Sequence, residues 1–145
     1  MKKILCLLLA LVMCISLVAC GDSSSEGTEN SEVVADPIEE AKTKLSDAYD
    51  NCCGGDNKDY ASLGYDGKSL TIDTKPNDSY YSGEADALSA IAVINVFLGL
   101  PSSLIDKMSS TRALDGIQSQ DCGNYTVTWN YHPDNGMKVI YEVNG

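Results

Sequence analysis

A single histidine, His132, stands in 145 residues. A Ser-His-Asp or Cys-His hydrolase needs its base beside a nucleophile, with a third group to orient it. His132 falls at the end of a strand pattern just ahead of a turn, where a histidine serves the turn or faces water. No Gly-x-Ser-x-Gly, phosphate-binding loop, dinucleotide fingerprint or His-Glu-x-x-His occurs. Metal spacing is equally scarce. Cys52-Cys53 lacks the gap of a zinc pair, and no second pair follows. Asp56, Asn57 and Asp59 lack the twelve-residue calcium pattern and its terminal glutamate. The residues therefore point to no catalytic group, no metal and no cofactor. Basic residues are also few, ten against 21 acidic ones. A surface of that sign repels phosphate backbones and anionic headgroups, so no nucleic-acid partner is expected. No internal repeat of useful length is present.

What the chain does carry begins with Met1-Lys2-Lys3, followed by a run from Ile4 to Val18 that is apolar apart from Ser16. Ala19 and Cys20 close it. This is the three-part pattern of an export signal. The apolar stretch is at the short limit for crossing a bilayer, roughly 17–25 residues, and a membrane span has no need of Ala-Cys followed by Gly. Leu17-Val18-Ala19-Cys20 resembles the bacterial lipobox, and the Ser/Glu/Gly-rich segment after it resembles the tethers of small lipoproteins of Gram-positive bacteria, a group of uncharacterised activity. The Tyr131-to-Gly136 end, Tyr-His-Pro-Asp-Asn-Gly, resembles the same group. The resemblance implies cleavage between Ala19 and Cys20 and a diacylglycerol on the Cys20 thiol. It also implies attachment to the outer side of the cell membrane, and it supplies no activity. Two or three acyl chains anchor stably where one binds marginally.

A cut at Cys20 changes the accounting. All 21 acidic residues follow it, while Lys2 and Lys3 precede it, so the remaining chain has a formal charge of −13. Of the six cysteines, Cys6 and Cys14 leave with the signal and Cys20 carries lipid. Cys52, Cys53 and Cys122 remain, and in an oxidising compartment one disulfide and one free thiol is the simplest arithmetic. A bridge from Cys53, or alternatively Cys52, to Cys122 closes about 70 residues and is worth roughly 4 kcal/mol in the chain-entropy account.

Three regions follow: a signal over 1–19, the lipid-bearing Cys20 with an acidic tether over 20–36, and one domain over 37–145. Gly21 to Asp36 holds five acids and no base, too little apolar surface to fold. As a flexible chain it spans about 20–24 Å. Asp36, Pro37 and Glu39 then mark a helix start. Ile38, Ala41, Leu45, Ala48, Tyr49 and Cys52 form its apolar stripe, with Cys53 turned away, until Gly54-Gly55 stops it. Tyr60–Tyr65 and Lys68–Thr74 read as a hairpin about Asp66-Gly67, pairing Leu63 with Leu70 and Ala61 with Ile72. Tyr80-Tyr81 fall in a loop, as packing lids. Glu84–Leu98 reads as a central helix, apolar nearly all round from Leu88 and so expected to be covered on most sides, with Asn95 a satisfied core amide. Gly99-Leu100-Pro101 turns into a second helix carrying Leu104, Ile105 and Met108.

From Leu114 onward the pattern is a strand meander. A three-residue loop, Asp134-Asn135-Gly136, sets Tyr131 against Val139, Trp129 against Tyr141 and Val127 against Val143. Ile117 pairs with Trp129 across a Cys122-Gly123-Asn124 turn. The resulting class is α+β in the order α-β-β-α-α-β-β-β. It is an antiparallel sheet, a hairpin plus a three-strand meander, with about three helices on one face. The alternation leaves Thr126, Thr128, Asn130, His132, Lys138, Ile140 and Glu142 on the outward face as a candidate recognition surface.

The expectation is therefore a lipid-anchored, extracytoplasmic, non-enzymatic module. It is held to the membrane by its N-terminal lipid and takes a protein or envelope component as its partner. The competing expectations are an envelope hydrolase or thiol-redox protein, and a structural envelope protein.

Overall fold

Asp36 opens the first helix as its short acidic side chain should, Oδ1 accepting a hydrogen bond from Ile38 N at 3.0 Å. The computed structural model describes residues 36–54, 58–76 and 82–145. The expected export segment, Cys20, most of the expected tether, Asp56-Asn57 and Tyr80-Tyr81 lie outside the described residues. Helix α1 runs over Pro37–Cys53 and ends at Gly54, whose left-handed backbone (φ 73°) lets its N–H turn back to Tyr49 O. Ala41, Leu45, Ala48 and Tyr49 are buried as their spacing demands. The helix continues its stripe through Cys53, which is 1% exposed, rather than Cys52, which is half-buried. Cys53 stands four residues after Tyr49 and eight after Leu45, so it falls under the same turn-to-turn row.

Strands β1 (Ala61–Leu63) and β2 (Ser69–Asp73) pair as read, with Ala61 opposite Ile72 and Leu63 opposite Leu70. Their connection is longer than a two-residue Asp-Gly turn. Gly64 and Ser69 close it (Gly64 N to Ser69 O, 2.7 Å), Gly67 N returns to Gly64 O, and Asp66 Oδ1 takes Lys68 N. Adding one residue to each side leaves the pairing sum unchanged, so the register survives. Helix α2 (Glu84–Phe97) and helix α3 (Ser103–Ser110) follow, then a 3-10 turn at Ala113–Asp115.

The last three strands are β3 (Gln118–Cys122), β4 (Tyr125–His132) and β5 (Gly136–Val143). The sheet order is β1-β2-β5-β4-β3, every pair antiparallel. The C-terminal strand thus takes the centre and joins hairpin to meander. Class and element order are those of the sequence reading. Two registers are not. Trp129 faces Val139, Val127 faces Tyr141 and Tyr131 faces Met137, a slip of two residues from the expected pairing. The slip keeps every side chain on its expected face and differs only in which neighbours meet. Its cause is the start of β5. Gly136 already sits in the strand with φ 72°, and Met137 exchanges bonds with Thr74, its N–H reaching Thr74 Oγ1 at 2.8 Å and its carbonyl accepting Thr74 N at 2.9 Å. A Cβ on Gly136 would collide with Thr74 Oγ1, so only glycine allows that approach.

The second correction is at β3, where Gln118, not Ile117, faces Trp129. A two-residue Gly123-Asn124 turn joins Cys122 directly to Tyr125, with Gly123 at φ 69°. One residue of shift turns every side chain over, and Ile117 is left 76% exposed.

The inner face of the sheet can be followed in rows across the strands. One runs Ala61, Ile72, Val139, Trp129, Gln118; the next runs Leu63, Leu70, Tyr141, Val127, Gln120. Helices α1 and α2 cover the apolar part of these rows. At the β3 end the rows turn polar, and there the core stops.

Candidate functional site

The outward face gathers the expected residues. Thr128 stands opposite Ile140, Asn130 opposite Lys138, and Thr126 opposite Glu142. Ser119 Oγ lies 3.3 Å from Thr128 Oγ1, and Thr126 Oγ1 lies 2.7 Å from both Asp121 Oδ1 and Asn144 Oδ1. Ser119 and Thr128 thus pair with each other, and the Thr126 hydroxyl serves the Asp121 carboxylate and the Asn144 amide oxygen, which is how a solvated sheet face satisfies itself. His132 is set apart at the strand end. It faces Gly136, and its Nδ1 accepts the Asp134 N–H at 3.2 Å. It caps its own turn.

The cysteines are placed differently from the disulfide expected between Cys53 and Cys122, or Cys52 and Cys122. Helix α1 crosses the sheet diagonally. Near its start Ala41 O accepts Tyr125 OH on β4, and at its end Cys53 shares a hollow with Tyr60, next to β1. Cys122 closes β3, and β1 and β3 are opposite edges of a five-stranded sheet. Strand spacing puts those edges roughly 19 Å apart, whereas a disulfide requires Cα atoms within about 4.4–6.8 Å. All three are free thiols. Burial pushes the Cys53 thiol up to about 11, with the neighbouring Cys52 adding to it, and raises Cys52 as well. Gln120 Nε2 donates to Cys122 Sγ at 3.4 Å.

A surface that the sequence reading did not single out lies where the inner rows turn polar. Lys107, Ser110 and Thr111 from the end of α3 face Asp115, Gln118, Ser119 and Gln120 across a cleft of about 340 Å³, with Trp129 at its base. Each lining group has a defined orientation. Trp129 Nε1 donates to Thr111 Oγ1 at 2.8 Å, which in turn donates to Lys107 O; Lys107 Nζ donates to Gln120 Oε1 at 2.6 Å. Gln118 Nε2 donates to Asp115 O at 2.6 Å.

The turn bordering the cleft is locked by Asp115, whose carboxylate takes Arg112 N at 2.7 Å and Arg112 Nη2 at 3.0 Å. That guanidinium and backbone N–H hold the Asp115 carboxyl below its ordinary range. The locked turn projects Leu114, 95% exposed, with Ile117 beside it. The signal for this site was present in the polar inward positions of β3, but it becomes visible only in the correct register.

Among the described residues no cluster of three or more His, Cys, Asp or Glu side chains could hold a metal ion, and no helix is long and apolar enough to cross a membrane. Compared with protein-family models, curated proteins and solved structures, the chain matches none.

Proposed function

We propose that this chain is a lipid-anchored, extracytoplasmic binding module without catalytic activity of its own, tethered through Cys20 and recognising a protein or envelope component. The observation that carries the reading is the polar cleft beside the open β3 edge, with Leu114 held out to solvent on its rim. An exposed leucine on a hydrogen-bonded clamp loses little conformational freedom when a partner covers it, so more of the contact energy reaches the affinity. Within the cleft, Lys107 keeps donors and Asp115 and Gln118 keep acceptors for a polar ligand group. The lipobox resemblance supports the location, and the acidic tether supports a domain that stands off a membrane of like charge. Against a thiol-redox role stand the raised Cys52 and Cys53 thiols, since the thiolate is the nucleophile.

Affinity capture from the native envelope with the tagged full chain tests the reading. A component recovered with the wild type and lost with Leu114→Asp supports it. Recovery unchanged by Leu114→Asp, or no specific component at all, overturns it. Leu114 touches no part of the core, so the variant's fold can be checked by an unchanged melting temperature.

A further inference from the structure

Helix α2 is apolar nearly all round, yet only one side of it is covered. Ala87, Ala90, Ile91, Ile94 and Asn95 face the core, while Leu88 (46%), Val93 (52%), Val96 (81%) and Phe97 (43%) are exposed. A helix that is hydrophobic on every side is normally buried on every side. The four side chains expose apolar surface on the order of 400 Å², spread over about half the helix circumference with Val93 and Val96 between Leu88 and Phe97.

We propose that this face is where a second copy of the same chain docks, α2 against α2 in antiparallel fashion about a two-fold axis. Two observations carry the choice of occupant. The first is shape. The exposed ridge of Val93 and Val96 runs beside an apolar hollow of about 290 Å³ between α2 and α3, lined by Leu88, Ala92, Ile105 and Met108 among others. A surface that carries both ridge and groove complements itself, as an isologous interface requires.

The second observation is charge. With −13 on each chain from Cys20 onward, most mutual approaches bring acid against acid. Between Asp86 and Asp106 the sequence has no charged residue at all, so here two copies can meet without that penalty. Antiparallel pairing also sets the acidic start of each helix, Glu84 and Asp86, about 20 Å from its counterpart along the helix, where a parallel pairing would oppose them.

The area is small. Leu88 and Phe97 stand on opposite flanks of the helix, so one partner covers Val93, Val96, the exposed Ala85 and Ala92 and one flank, less than the roughly 1,000 Å² of a stable specific interface. Such a dimer is weak in dilute solution.

Cross-linking in cells expressing the full chain tests it. Ala92 lies near the middle of the exposed face, where residues of an antiparallel pair meet their own counterparts. Ala92→Cys should give a dimer band with a short membrane-permeant bismaleimide, well above the wild type with its native cysteines. Ser62→Cys, on the outward face of β1, should not. Adding Val96→Asp to Ala92→Cys should return the yield to that of Ser62→Cys, without a change in melting temperature because Val96 is largely exposed. Equal cross-linking of Ala92→Cys and Ser62→Cys overturns the proposal. So does an Ala92→Cys product in which the chain is joined to a different protein, since that names another occupant. The readout needs no lipid on Cys20 and no ligand in the polar cleft, so it stands or falls apart from the proposed function.

Discussion

Cys53 shows how one residue's surroundings set its chemistry. Its thiol is held among Tyr60, Ala90 and the base of α1, and burial favours the neutral form. The thiol is raised from 9.0 to about 11, so its contribution to stability is complete below pH 9 and is lost as the pH rises toward 11. Thermal melting followed from pH 8 to 11 should show a falling midpoint. In Cys53→Ala the part of the fall that begins near pH 9 should shrink. The part above pH 10 should remain, because burial also raises Tyr125 and Tyr141. Native protein at pH 8 should alkylate far more slowly at Cys53 than unfolded protein.

Asn95 offers a second case at this scale. Its Nδ2 donates to Ile91 O at 2.7 Å and to Tyr141 OH at 3.0 Å, but its Oδ1 finds no hydrogen-bond partner among the described residues. The expected core amide is thus only partly satisfied. Replacing both polar partners is gentler than removing one. Asn95→Leu should cost about 1–3 kcal/mol by urea denaturation, and adding Tyr141→Phe should cost less than the two single changes summed.

Among the elements, the junction between the strand β2 and the start of β5 decides the sheet. Thr74 is fully buried, and its hydroxyl accepts the Met137 N–H where Gly136 permits close approach. Thr74→Val keeps the shape and removes the acceptor, leaving a buried N–H without a partner. A loss of about 1–3 kcal/mol is expected in denaturant unfolding. Gly136→Ala should cost at least as much, since it adds a collision to a positive φ. This junction also marks where reading the chain by pattern reached its limit. Alternation along β4 and β5 assigned the faces of Val127, Trp129, Tyr131, Val139 and Tyr141, because side-chain period is local. It left the pairing free to slide by two, because a slide of two preserves faces. Only a bond to a third strand distinguishes the alternatives. At β3 the local signal was weaker, since Gln118, Ser119, Gln120 and Asp121 have no apolar alternation to align.

At the level of the whole molecule, the proposed lipid on Cys20 would hold an acidic domain at a membrane through the proposed tether over 20–36. Membrane attachment should be lost in Cys20→Ala, read as transfer of the chain from the membrane to the soluble fraction. Retention would show that attachment does not run through that thiol. The two exposed apolar features divide the surface. Leu114 and the polar cleft border the β3 edge, and the α2 ridge lies on the helical layer. Helix α3 stands between them, Lys107 and Ser110 lining the cleft and Ile105 and Met108 the hollow beside the ridge.

The class, the element order, the capped start of α1, the hairpin register and the inward or outward sense of the central strands were all determined by the sequence itself. Each follows from a spacing of a few residues: a cap, a turn, a period of two or of about 3.6. Tertiary structure alone decided that β5 takes the middle of the sheet. It also set Cys122 at the opposite edge from Cys52 and Cys53 and left one side of an apolar helix uncovered. Those outcomes depend on which distant segments meet, and a local spacing carries no record of a neighbour fifty residues away.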